Sequence, residues 1–131
     1  DCRALKDMLE HAATSAGLVT KTGAGAGRSF QVINRIVVEE LESWFFGDWS
    51  AARKAYPRLP ATVPQKEQYR HPDAIVGGTW EALERELKRA GYYKTGLKKI
   101  ECARAIARHM DAGKNTSHSF GVFVSALQSL C

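Results

Sequence analysis

SFQVINRIVVEELESWFFGDW, residues 29–49, decides how the rest of the chain is read. Its first half is rich in β-branched residues, which fit a pleated, half-buried surface. Ile36, Val37 and Val38 follow one another, so a strand here is apolar on both faces. Strands of that kind are covered by helices on both sides, as in α/β sheets. The composition therefore predicts a strand over 29–40. ELESWFFG (40–47) reads as a short helix closed by Gly47. Asp48 reads as the N-cap of a second helix, DWSAARKAYP, stopped by Pro57.

Upstream, CRALKDMLEHAATSAGL has apolar residues at 5, 8, 9, 12, 13 and 16, which is helical spacing. Asp1 is its expected N-cap and Gly17 its C-terminal stop. VTKT (19–22) is read as a short strand. GAGAGRS (23–29) is read as a flexible loop, because the Lys-Ser/Thr that follows the glycines of a phosphate loop is missing. Downstream, RLPATVPQKEQYRHPD (58–73) is an irregular basic connection with three prolines, of the sort that often carries function. Three helical patterns end the chain: TWEALERELKRAG (79–91), LKKIECARAIARHM (97–110) and SFGVFVSALQSL (119–130). Trp80, Leu83 and Leu87 form the expected buried stripe of the first. Ile100, Ala103, Ile106, Ala107 and Met110 form that of the second. Ser117 or Ser119 is the expected N-cap of the third.

The length of 131 residues corresponds to one domain, 1–131, large enough to bury a core. No stretch approaches the roughly 20 apolar residues that span a bilayer, so no membrane partner is expected. The formal charge of +5 and a pI near 9.3 favour an anionic partner such as nucleic acid. Cys2, Cys102 and Cys131 are far apart, with no CxxC or Cys/His cluster. That spacing argues against structural zinc and for reduced thiols in a cytoplasmic protein. Cys2 and Cys102 are expected to be buried and Cys131 exposed. The predicted strands fall in the first third and the helices in the last two. This helix-rich α/β pattern has too few strands for a sheet of its own. Together with a helix that starts at Asp1, it leads to the expectation of a fragment whose N-terminal strands are missing.

RIVVEELESWFFGDW, then AYPRLPATVPQKEQYRHPDAIVGGTWEAL, then GYYKTGLKKIECARAIARHMD and NTSHSF, resemble in order the C-terminal part of the domain-of-unknown-function family numbered 4276. That family is similar to Toprim domains, the metal-dependent α/β modules of topoisomerases, primases and the overcoming-lysogenization-defect nucleases. The resemblance implies a C-terminal portion of a Toprim-like domain. It implies a bacterial phage-defence role, an ABC-like ATPase partner and a divalent cofactor, Mg²⁺ or Mn²⁺. A Toprim site uses a glutamate after its first strand and an Asp-x-Asp pair after a later one. Both would lie upstream, with Asp1 at or just beyond the end of the pair. The fragment alone is then expected to be inactive.

Hard divalent cations take clustered oxygen ligands. Glu39, Glu40 and Glu42 stand at the expected strand end, where α/β sheets place ligands. Alternation lets only one of Glu39 and Glu40 face a given site. The resemblance places an acid of this block at the catalytic edge, Glu40 first and Glu39 second, with Asp1 completing the metal set. The competing reading is a junction whose acids favour a helix N-terminus. Lys99 fits the family block Lys-x-x-x-Ala-x-x-Ile-Ala and would oppose phosphate charge as a catalytic lysine, with Lys98 beside it. Lys66, Arg70 and His71 would follow a nucleic-acid backbone, or form a solvated loop. Trp44, Phe45, Phe46 and Trp49 read as core or a subunit interface in a homodimer rather than a base-stacking platform. The expected function is a metal-dependent nucleic-acid phosphodiesterase. The alternatives are a non-catalytic module binding an ATPase partner and a small-nucleotide enzyme.

Overall fold

The structure, a computed structural model, describes residues 1–130. Seven α-helices carry its regular structure: α1 (Cys2–Ser15), α2 (Lys21–Ala24), α3 (Glu42–Gly47), α4 (Trp49–Ala55), α5 (Thr79–Arg89), α6 (Lys99–Ala107) and α7 (His118–Gln128). Three 3-10 turns, Val63–Gln65, Glu67–Tyr69 and Pro72–Ala74, interrupt the proline-rich connection. The described residues are thus helix-rich, and the expected sheet is absent from them. The chain divides into two compact units, one built from Asp1–Ile36 and the residues from Ser125 onward, the other from Val37–Val124. No helix among the described residues is long and apolar enough to cross a membrane.

In the smaller unit, Asp1 caps α1 by accepting the Arg3 N–H at 2.9 Å. Gly17 follows the helix with φ 76°, a left-handed conformation that glycine adopts without strain. The strand expected at 19–22 is instead a bridge followed by a helical turn. Thr20 pairs with Val32 in an isolated parallel bridge. Its hydroxyl then accepts the Gly23 N–H at 3.0 Å, and α2 begins. A threonine side chain has here offered the backbone a local partner in place of a ladder.

The strand expected over 29–40 is likewise not formed. Beyond Val32 the segment is irregular, and residues 33–38 donate no backbone N–H to a backbone oxygen among the described residues. Its apolar side chains are half-buried rather than enclosed on both faces. β-Branched composition sets a preference, but a strand exists only where another strand supplies the ladder.

The larger unit holds the main core. Every residue of α3, Glu42–Gly47, is buried. Phe46 stacks on Trp49 at 5.3 Å between ring centroids and meets Tyr69 at 4.9 Å. Leu83, Leu87 and Ile106 complete this cluster. The aromatic run is therefore core. Asp48 caps α4, accepting the Ala51 N–H at 3.1 Å. Ser117 Oγ accepts the Phe120 N–H at 3.1 Å at the start of α7. In α6 the buried face is Cys102 and Ile106. Ile100 is 71% exposed and Ala107 is exposed, against expectation. The apolar residues of this helix occupy two faces, and only one is turned to the core. Cys2 is also exposed, not buried. Cys131 lies outside the described residues.

Candidate functional site

Glu39 ends the irregular segment with φ 64°. Left-handed backbone is uncommon outside glycine and turns the chain sharply. It delivers Glu40 to the start of α5. There Glu40 Oε2 accepts the Thr79 N–H at 2.8 Å, the Thr79 hydroxyl at 3.0 Å and the Trp80 N–H at 3.0 Å. The first N–H groups of a helix have no partner within it. The residue before α5 is Gly78, which has no side chain to serve them. A β-carbon at Gly78 would run into the Glu81 carboxylate, and its φ of 85° is a further reason for glycine. Glu40 therefore caps α5 from a distant part of the sequence.

Lys99, at the start of α6, holds its Nζ 4.0 Å from the Trp80 ring centroid, a cation–π distance. Glu40 and Lys99 thus converge on one residue. Burial pushes the Glu40 carboxyl up. The hydrogen bonds from Trp80 and Thr79 and the charge of Lys99 outweigh it and hold the group below its ordinary value. Oε2 is fully engaged, while Oε1 takes no hydrogen bond among the described residues.

Asp1 belongs to the smaller unit, as the α1 cap. Glu39 is exposed and makes no hydrogen bond among the described residues. Among the described residues no three His, Cys, Asp or Glu side chains stand together as a metal-binding group. A cation that takes six or more oxygens finds one free oxygen at Glu40, so these residues alone do not fit it. Lys98 pairs with Glu101 at 3.6 Å. Lys66 is committed to the buried Glu86 carboxylate, at 3.0 and 2.9 Å from its two oxygens. Arg89 and the Tyr69 hydroxyl donate to the same group. Arg70 and His71 are exposed and free of ion pairs among the described residues.

Two acids have roles that spacing did not announce. Asp73 accepts the Ser117 hydroxyl at 2.7 Å and the Ser119 N–H at 2.8 Å, tying the proline-rich connection to α7. Asp48 accepts, besides its own helix, the Asp111 N–H at 2.8 Å. An apolar groove of about 430 Å³ opens between Leu41, Trp44, Phe45, Ala107, Met110 and Phe120, with Arg104 also in its lining. Burial pushes the Cys102 thiol up to about 11, so it is protonated at neutral pH and no thiolate nucleophile stands there.

Residues 1–128 match the family described as Domain of unknown function (DUF4276). No curated protein and no solved structure matches the chain.

Proposed function

As this chain belongs to the DUF4276 family, we propose that it is the C-terminal part of a Toprim-like protein that cuts nucleic-acid phosphodiester bonds. On this reading it works in the bacterial cytoplasm as part of phage defence. The observation that carries the reading is the convergence of Glu40 and Lys99 on Trp80. A lysine held over an indole beside a carboxylate keeps an exposed ammonium in a fixed place, suited to a phosphate's charge. The run 33–38 supports the same reading, because it has β-branched composition but no backbone ladder among the described residues, and further strands would supply one. A divalent cation, Mg²⁺ or Mn²⁺, would take most of its carboxylates from that upstream part. This chain contributes phosphate contacts through Lys99, Arg70 and His71, and is inactive alone. The test is metal-dependent cleavage of labelled oligonucleotides by the protein with its upstream segment. Lys99→Ala should lower kcat about 100-fold with the unfolding temperature unchanged. Unaltered cleavage would remove Lys99 from the site. No cleavage with either metal would remove the enzyme reading.

The groove favours a second reading, a module that docks a protein partner. Ile100, exposed and one turn before the lining residue Ala103, adds apolar surface on that side of α6. Arg104 and Arg108 flank that face without an ion pair among the described residues. The occupant that fits is an amphipathic segment carrying carboxylates, on an ABC-like ATPase subunit. Titration calorimetry with that subunit should lose the binding in Arg104→Glu and keep it in Lys99→Ala. The reverse pattern would sink the docking reading.

A further inference from the structure

The smaller unit contains a cavity of about 740 Å³, outside everything assigned above. Its wall is the glycine-rich turn 25–27 with Lys21, Arg28, Ser29 and Phe30, and Ser129 and Leu130 also line it. Among the described residues no carboxylate lines it. Neither Lys21 nor Arg28 has an acidic partner among the described residues. The Arg28 guanidinium and the Ser29 hydroxyl make no hydrogen bond among the described residues. The N–H groups of residues 26–30 donate to no backbone oxygen among them either. The lining is therefore rich in uncommitted donors and carries two uncompensated positive charges. An anion satisfies both conditions at once.

The backbone leaves room for it. Gly25 and Gly27 have φ of 76° and 73°, and nothing stands within 4 Å of where their β-carbons would be. Lys21 Nζ lies 5.6 Å from the Phe30 ring centroid, so an aromatic face and a cation share one wall. That pairing suits a ligand with a flat ring and an anionic group. The volume is that of a small-molecule site. We propose that this cavity binds a nucleotide, its phosphate held by Lys21, Arg28 and Ser29 and its base against Phe30. The arrangement is unlike a phosphate loop, since the cations come from before and after the glycines rather than from a lysine that follows them.

The test uses the full chain, with AMP and inorganic phosphate in titration calorimetry. AMP should bind saturably. Arg28→Glu and Lys21→Glu should each weaken it about tenfold. Lys94→Glu, an equal charge change in the other unit, should alter it less than about twofold. Phe30→Leu should weaken AMP and leave inorganic phosphate unchanged. A 5′-phosphorylated hexanucleotide then identifies the source. Competition with AMP supports a strand end as the natural occupant, and no competition supports a free nucleotide. Absence of saturable AMP binding, or equal loss in Lys94→Glu, would overturn the proposal. Neither result bears on cleavage at Lys99, which lies in the other unit.

Discussion

Glu40 closes the N-terminus of a helix that begins 39 residues after it, its Oε2 lying 2.8 Å from the Thr79 nitrogen. The carboxylate supplies what Gly78 cannot, and its negative charge also suits the positive end of the helix. It joins two segments that share no local signal. Glu40→Ala should cost about 1–3 kcal/mol in urea unfolding at pH 7. The bound carboxyl titrates below its ordinary value. Its contribution is therefore present above the unfolded-state pKa of about 4.3 and is lost as pH falls through the lower folded value. Glu40→Gln should flatten that part of the acid limb of the stability curve. A mutant as acid-sensitive as the parent would show that the cap is not made.

Lys66 and Arg70 should separate stability from binding. Lys66 neutralises the buried Glu86, so Lys66→Ala leaves that carboxylate to Arg89 and Tyr69. The expected loss is about 1–3 kcal/mol, with nucleic-acid affinity unchanged in filter-binding at moderate salt. Arg70→Ala should do the opposite, lowering affinity and its salt dependence while leaving unfolding unaffected. Equal effects on binding would return Lys66 to the phosphate-contacting set.

Gly47 should resist replacement although it lies in a helix. A β-carbon there would meet Asn115 Oδ1, and would stand 2.9 Å from the Ser117 nitrogen. The Gly47 carbonyl accepts the Thr116 N–H at 3.0 Å, which holds that loop in place. Alanine's better helix propensity, about 1 kcal/mol, should be outweighed by the overlap. Gly47→Ala is expected to destabilise by about 1–3 kcal/mol in chemical denaturation. A stabilised variant would mean that the loop yields easily.

Cys2 and Cys102 should differ sharply toward iodoacetamide. Cys2 is exposed, whereas Cys102 is enclosed with its thiol pushed up to about 11. Peptide mapping after brief alkylation at pH 8 should find Cys2 modified and Cys102 intact until denaturant is added. Rapid labelling of Cys102 in the folded protein would contradict its burial in the core.

The helices were legible because their signals are local. Asp1, Asp48 and Ser117 each stand just ahead of an apolar pattern at helical spacing, and each caps the helix that follows. The strands failed for a physical reason. Val19, Val32 and Ile36–Val38 have the composition, but pairing depends on partners that composition does not specify. Helix phase misled at Ile100, where α6 has apolar residues on more than the one face that the core covers. At the candidate site, Glu40 and Lys99 were each picked out from their own block. Their convergence on Trp80 was invisible, since residues 40, 80 and 99 share no spacing rule. The same holds for Asp73, which reaches Ser117 and Ser119 across the chain.

Glu40, Asp48 and Asp73 each bond to a residue at least 39 positions away. Each bond requires a long loop to close before it returns any free energy. The α5 helix, with no cap of its own, should be mostly unstructured as an isolated peptide. Its formation waits on the arrival of residue 40, so the late, rate-limiting part of folding should be the assembly of the acid ties rather than the winding of helices. A helical protein of this size would then fold more slowly than its secondary structure suggests.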